Sequence, residues 1–97
     1  MDTKKFLEIC HKLVADYTVE HCDITDNILD FDVYVVWSCK TLQNNKALLS
    51  TTLFDGMYYE VTYNGDKNEI YFDAYKKFEN RCVSVATEGE LNEAHKI

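Results

Sequence analysis

The apolar residues of this chain change their period once, and that change limits the fold more than any other feature. From Thr3 to about His21, Phe6, Ile9, Cys10, Leu13, Val14 and Tyr17 recur at steps of three and four, the spacing of one helical face. Lys4, Lys5, Glu8, Lys12, Asp16 and Glu20 fall largely on the other side, and Asp2 or Thr3 stands where an N-cap belongs. From Asp32 onward the period is two, with Val33, Val35, Trp37 and Cys39 alternating with Tyr34, Val36, Ser38 and Lys40. Between them, Cys22 to Phe31 mixes turn formers with isolated apolar residues and is read as a connecting loop.

Turn chemistry divides the remainder. Gln43-Asn44-Asn45 is a polar loop, and Ala47 to Phe54 is the partner of the first strand. Asp55-Gly56 and Asn64-Gly65-Asp66 lie between apolar runs and tolerate the positive φ of tight hairpins, so two more antiparallel strands follow, the last over about Asn68 to Asp73. Ala74, Phe78 and Cys82 recur at intervals of four, which leaves residues 74–82 as either a short second helix capped by Asp73 or an extension of the strand through Tyr75. The expected fold class is therefore α+β: an N-terminal amphipathic helix packed on a four-stranded antiparallel meander. With 97 residues there is room for one core, placed in residues 1–85. Residues 86–97, with Glu88, Glu90 and Glu93 and few large apolar groups, read as a fraying acidic tail.

Threading the alternation through the hairpins puts Val33, Val35, Trp37, Leu49, Leu53, Met57, Tyr59, Val61, Ile70 and Phe72 on one face of the sheet, which the helix must cover. The other face carries Tyr34, Ser38, Lys40, Ser50, Thr52, Tyr58, Glu60, Thr62, Tyr71 and Asp73. Tyrosines on an open face serve recognition, each offering rigid contact area and a hydroxyl at small entropic cost. Cross-strand Tyr–Thr and Tyr–Glu pairing that binds nothing is the plainer alternative.

The charge is one-signed in one region. Between Leu13 and Cys39 stand six acids, Asp16, Glu20, Asp23, Asp26, Asp30 and Asp32, and no lysine or arginine. The whole chain carries a formal charge of −7, which opposes attraction to phosphate backbones or anionic lipid and disfavours a direct nucleic-acid or membrane role. Such a segment suits a basic partner, or serves only as a solvated loop that maintains solubility. No apolar run approaches the ~20 residues of a membrane span, and Met1-Asp2-Thr3-Lys4-Lys5 does not resemble a signal peptide, so a reducing cytoplasm is the expected compartment.

Catalytic and metal chemistry find little support. Cys10, Cys22, Cys39 and Cys82 lack the paired short spacing of zinc or dithiol sites and read as free thiols. A calcium loop starting at Asp23 offers Thr25 and Asn27, but Ile28 stands where glycine is needed and Tyr34 where a bidentate glutamate is needed. His21-Cys22-Asp23 has no second His/Cys pair near it. His11 with Cys39 or Cys82 lacks any local signature of an activated nucleophile, and Gly56 and Gly65 are taken by hairpins, leaving no phosphate-cradling loop. No cofactor, metal or enzymatic activity is expected. The order helix, strands, helix is similar to a double-stranded-RNA-binding domain in topology only, since Lys76, Lys77 and Arg81 are all that the matching region offers to phosphates.

The run from Tyr34 through Trp37-Ser38-Cys39 to Ser50, followed by Asp55-Gly56-Met57-Tyr58-Tyr59 through Asp66, resembles a small family of phage and prophage proteins of Gram-positive bacteria, over roughly residues 3 to 83. The resemblance implies an accessory protein of the bacterial cytoplasm that blocks a host protein, defence nucleases included. The expected function is a non-enzymatic protein-interaction module, an inhibitor of a host defence or nucleic-acid-processing protein, that uses Asp23, Asp26, Asp30, Asp32, Tyr34, Tyr58, Glu60, Tyr71 and Asp73. The alternative is a structural phage protein that forms a homodimer through its sheet.

Overall fold

The structure, a computed structural model, describes residues 1–21 and 30–85. Helix α1 spans Thr3–His21, and four strands follow: β1 (Val33–Thr41), β2 (Asn44–Thr51), β3 (Met57–Asn64) and β4 (Glu69–Lys76). They form one antiparallel sheet in the order β1-β2-β3-β4. The fold is the α+β arrangement of one helix on a four-stranded meander. Of the two alternatives for residues 74–82, the strand is the one formed: Asp73, Ala74, Tyr75 and Lys76 pair with Glu60, Tyr59, Tyr58 and Met57. The ladder thus supplies partners for backbone groups that a second helix would have had to withdraw from β3. Residues 77–85 then run on with neither helix nor strand.

Asp2 caps α1. The Lys5 backbone N–H donates to Asp2 Oδ1 at 2.7 Å, which satisfies one of the donors left free at a helix start, and the Phe6 N–H makes the first helical bond to the Asp2 carbonyl at 3.0 Å. Phe6, Cys10, Val14 and Thr18 form a buried stripe at steps of four, with Leu7, Leu13 and Tyr17 packed beside it. The stripe ends in a polar residue that the apolar pattern misses: Thr18 is buried because its hydroxyl donates to the Val14 carbonyl at 2.8 Å. The helix lies over β1, β2 and β3. Beneath it sit Ala47, Leu49, Tyr59, Val61 and Tyr63, flanked by Val33, Val35, Met57, Ile70 and Phe72. Full burial of each large side chain contributes ~1.5–3 kcal/mol, so this single layer contact anchors the helix. At the C-terminal end Tyr17 joins the helix to β4, its ring 5.5 Å from that of Tyr59 and 5.4 Å from that of Phe72.

Three turns differ from their expected form. The β1–β2 connection is Leu42-Gln43, with Leu42 at φ 55°, and Asn44 and Asn45 belong to β2. The Asp55-Gly56 signal closes a five-residue loop over 52–56 and not a two-residue hairpin; Gly56 takes φ 71° and Asp55 Oδ1 accepts the Met57 N–H at 3.1 Å. In the β3–β4 turn Asn68, at φ 54°, supplies the left-handed residue. Gly65 is needed there for a different reason: an added Cβ would run into the Gln43 carbonyl and side chain, because this turn packs against the β1–β2 turn. Gly65 N–H donates to Asn44 Oδ1 at 2.9 Å and Gln43 Nε2 to Asp66 Oδ1 at 2.6 Å, which ties the two turns together.

β1 contains the feature that most changes the surface. Val35 pairs with Leu49, yet Trp37 pairs with Leu48, so one extra residue, Val36, is inserted on β1. A bulge of one residue transfers every later side chain to the other face. Trp37 and Cys39, expected beneath the helix, point to the open side with Leu48 and Lys46, while Ser38 and Lys40, expected on the open side, share the helix side with Ala47 and Asn45. Lys40 Nζ accordingly donates to the Met1 carbonyl at 2.9 Å, at the start of the helix.

Candidate interaction face

The side of the sheet away from α1 is covered by no described element. The register arranges it in cross-strand rows: Tyr34, Ser50, Tyr58 and Tyr75; then Trp37, Leu48, Glu60 and Asp73; then Cys39, Lys46, Thr62 and Tyr71. Tyr34, Trp37, Tyr71 and Tyr75 each leave between 43% and 52% of their surface in contact with solvent, and Val36 is as open. Solvent-facing sheet surfaces ordinarily carry threonine and charged residues with a scattered aromatic, so four half-exposed aromatic rings on one face set this surface apart.

The expected site residues divide into two groups. Tyr34, Tyr58, Glu60, Tyr71 and Asp73 are brought together on this face. Asp23 and Asp26 lie outside the described residues. Asp30 and Asp32 are exposed on the approach to β1. The Asp32 N–H donates to Thr52 Oγ1 at 2.9 Å and its carbonyl accepts the Thr52 N–H at 3.0 Å, so the backbone there fastens the entry of β1 to the end of β2. Thr52 itself lies in the loop after β2, beside Tyr34, Ser50 and Tyr58. Ser50 does face this side, but it is buried and its hydroxyl donates to the Met57 carbonyl at 2.7 Å.

Two aromatic members escape the alternation argument. Tyr75 follows Asp73 by two residues, so reading the strand through 75 would have included it. Trp37 had no such signal, because Val35-Val36-Trp37 is apolar throughout and either phase satisfies it.

Most charges on the face have a partner. Lys46 Nζ lies 3.4 Å from Glu60 Oε1. Tyr71 donates its hydroxyl to Glu69 Oε2 at 2.8 Å, and that hydrogen bond, with the adjacent negative charge, raises the phenol above its ordinary pKa. Lys77 Nζ stands 5.8 Å from the centre of the Tyr58 ring. Asp73 makes no hydrogen bond or ion pair with a described residue, although Glu60 is directly opposite it on β3.

At one end the face runs into a cleft of about 450 Å³ between the 52–56 loop and the sheet, lined by Tyr34, Ser50, Leu53, Phe54, Tyr58 and Lys77 among others. Leu53, expected under the helix, therefore lines the cleft on the loop, and Phe54 is fully exposed. A smaller cavity of about 280 Å³ opens on the helix side among Tyr17, Thr18, His21, Asp55, Met57, Tyr59 and Lys76. The His21 ring stacks on Tyr17 at 3.9 Å, and its Nδ1 is 2.9 Å from the Tyr17 carbonyl, so that nitrogen is the donor and Nε2 is left for other partners.

The thiols are separated by the fold. Cys10 is fully buried and burial pushes its pKa from 9.0 up to about 12, which suppresses the thiolate. Cys39 sits on the open face, whereas His11 is exposed on the helix of the opposite layer, so that histidine is not held against the thiol. Among the described residues no three His, Cys, Asp or Glu side chains gather as a metal site, and no helix is long and apolar enough to cross a membrane.

No curated protein and no solved structure matches the chain at a significant level. A family model matches residues 7–85, which takes in the helix from Leu7 onward, all four strands and the extension after β4. The chain thus belongs to DUF6275, described as a family of unknown function.

Proposed function

We propose that this protein is a non-enzymatic protein-interaction module that binds its partner through the open face of the sheet. The observation that supports the reading is the patch of Tyr34, Trp37, Tyr58, Tyr71 and Tyr75 left uncovered on one face while the helix covers the other. Tyrosine and tryptophan concentrate binding energy in recognition surfaces because a large rigid ring is buried with few rotatable bonds. The partner is a basic protein, in keeping with the formal charge of −7, and the finer form of the proposal is the one that the phage resemblance implies: cytoplasmic blockade of a nucleic-acid-processing host factor. Self-association through the same face ranks second on electrostatic grounds. Two copies placed face to face would bring Glu60 and Asp73 of each toward those of the other, and both lysines on that side, Lys46 and Lys77, are already engaged.

The test compares capture from a bacterial lysate by the native chain and by Trp37→Ser and Tyr75→Thr variants whose circular dichroism is unchanged. Capture abolished by the face variants and retained by Glu8→Gln on the exposed side of the helix supports the reading. Equal capture by all forms overturns it, and a mass that doubles with concentration in light scattering, lost in the same variants, transfers the face to a homodimer.

A further inference from the structure

Every ionic side chain on the open face except one is already matched. Glu60 has Lys46, Glu69 has the Tyr71 hydroxyl, and Lys77 has the Tyr58 ring. Asp73 has no such partner among the described residues, and it lies mid-strand in β4 with Tyr71 and Tyr75 two residues to either side on the same face. Directly across on β3 is Glu60, a like charge, and like charges placed opposite one another on neighbouring strands are destabilising. Lys46 already offsets Glu60, so the exposed carboxylate of Asp73 is the group on this face still open to a cation from outside.

The chemistry around Asp73 narrows that cation. An exposed carboxylate with a tyrosine two residues to either side on the same face suits a group that forms hydrogen bonds in its plane and stacks through its faces, which describes a guanidinium. An ammonium is a compact, strongly hydrated charge, satisfied by the carboxylate alone and indifferent to the rings beside it. We infer that Asp73, between Tyr71 and Tyr75, is the anchor point for an arginine side chain of the partner. The inference rests on the interaction-module reading above and names the chemistry of the partner at its centre. A second copy of this chain does not fit as well: its arginine, Arg81, is already 3.0 Å from Glu79, and its own open face presents no unengaged cation.

Trp37 is the only tryptophan and stands on the open face at the far end of the cross-strand row that holds Asp73, on β1, so its emission reports a ligand that spans the face. The experiment titrates the full chain with a synthetic Gly-Ser peptide carrying arginines, with the same peptide carrying lysines, and with one carrying the neutral isostere citrulline. The arginine peptide should shift Trp37 emission and saturate, with the lysine peptide about tenfold weaker and the citrulline peptide silent. Asp73→Asn should weaken the arginine peptide about tenfold and erase its advantage over lysine, whereas Glu8→Gln, which removes the same charge from the helix, should leave that advantage intact. Arginine and lysine peptides that bind equally, or Asp73→Asn and Glu8→Gln variants that lose equally, would overturn the inference in favour of general charge attraction. If Tyr75→Thr abolishes partner capture while Asp73→Asn changes nothing in the titration, the face stands as a binding surface and the arginine anchor falls. Binding of no peptide together with a concentration-dependent doubling of mass would assign the face to a second copy and overturn both.

Discussion

The two faces of this sheet carry similar side chains and meet opposite fates. Under the helix, Tyr59, Tyr63 and Phe72 pack with Leu49, Val61 and Ala47, and the first two rings are almost wholly removed from water. On the other side Tyr34, Tyr71 and Tyr75 remain about half in solvent beside Trp37. Residue type therefore does not decide burial here; the presence of a second layer does. The difference between the faces is in the polar handle. The open aromatics are tyrosines and one tryptophan, each able to keep a hydroxyl or indole N–H in water, whereas phenylalanine on the sheet occurs at Phe72 on the covered side. One face serves stability and the other is free to serve contact.

The comparison breaks if substitutions on the two faces cost the same. Phe6→Ala, which empties a fully buried ring site between helix and sheet, should lower unfolding free energy by about 3–5 kcal/mol. Tyr75→Thr on the open face should lower it by less than about 1 kcal/mol, since it removes cross-strand contacts and no core volume. Urea unfolding of both variants measures the contrast. A comparable loss at Tyr75 would mean that the open face is itself a structural layer.

A second effect concerns the buried thiol. Cys10 has its pKa raised by burial from 9.0 to about 12, so at high pH the unfolded chain releases a proton that the folded chain retains. The unfolded state then binds fewer protons, and stability falls with rising pH. The contribution of Cys10 is intact below pH 9 and is lost between 9 and about 12, on the order of 4 kcal/mol. Cys10→Val should flatten the stability profile over that range, read by urea midpoints at successive pH values. In the native chain, thiol labelling followed by mass spectrometry should mark Cys39 and Cys82 quickly and Cys10 only on unfolding.

The smallest expected effect has the opposite sign. Asn45 is 2% exposed on the covered side, in register with Lys40 and Tyr63, and neither atom of its amide finds a hydrogen-bond partner among the described residues. A buried polar group without a partner costs stability, so Asn45→Val, apolar and suited to a strand, should raise unfolding free energy by about 1 kcal/mol. An unchanged or lowered midpoint would show that the amide contributes more than its burial implies. On the open face an asparagine-to-valine exchange has no such penalty to relieve, which sharpens the contrast.

How far the sequence could be read depends on the range of the interaction that decided each feature. The helix was legible because the steps of three and four from Phe6 to Tyr17, and the Asp2 cap, are contained within a few residues of each other. The strands were legible from alternation, and the face membership of Tyr34, Tyr58, Glu60, Tyr71 and Asp73 followed from it. Trp37 was misplaced because phase across a continuous apolar run is decided by pairing with β2, where Val36 is accommodated as an extra residue. The end of β4 was ambiguous for the same reason, since Ala74 and Tyr75 suit a helix or a strand until β3 offers them a ladder. Gly65 was read for backbone freedom, yet the turn that requires it is its distant neighbour at Gln43.

By itself the sequence determined the order and kind of the elements, one helix and then four antiparallel strands, because local periodicity and turn chemistry act over a few residues. Only the tertiary structure decided which aromatic side chains remain in water. That choice depends on one inserted residue in β1 and on a single helix that covers one side of the sheet, and both arise from contacts between segments far apart in the chain.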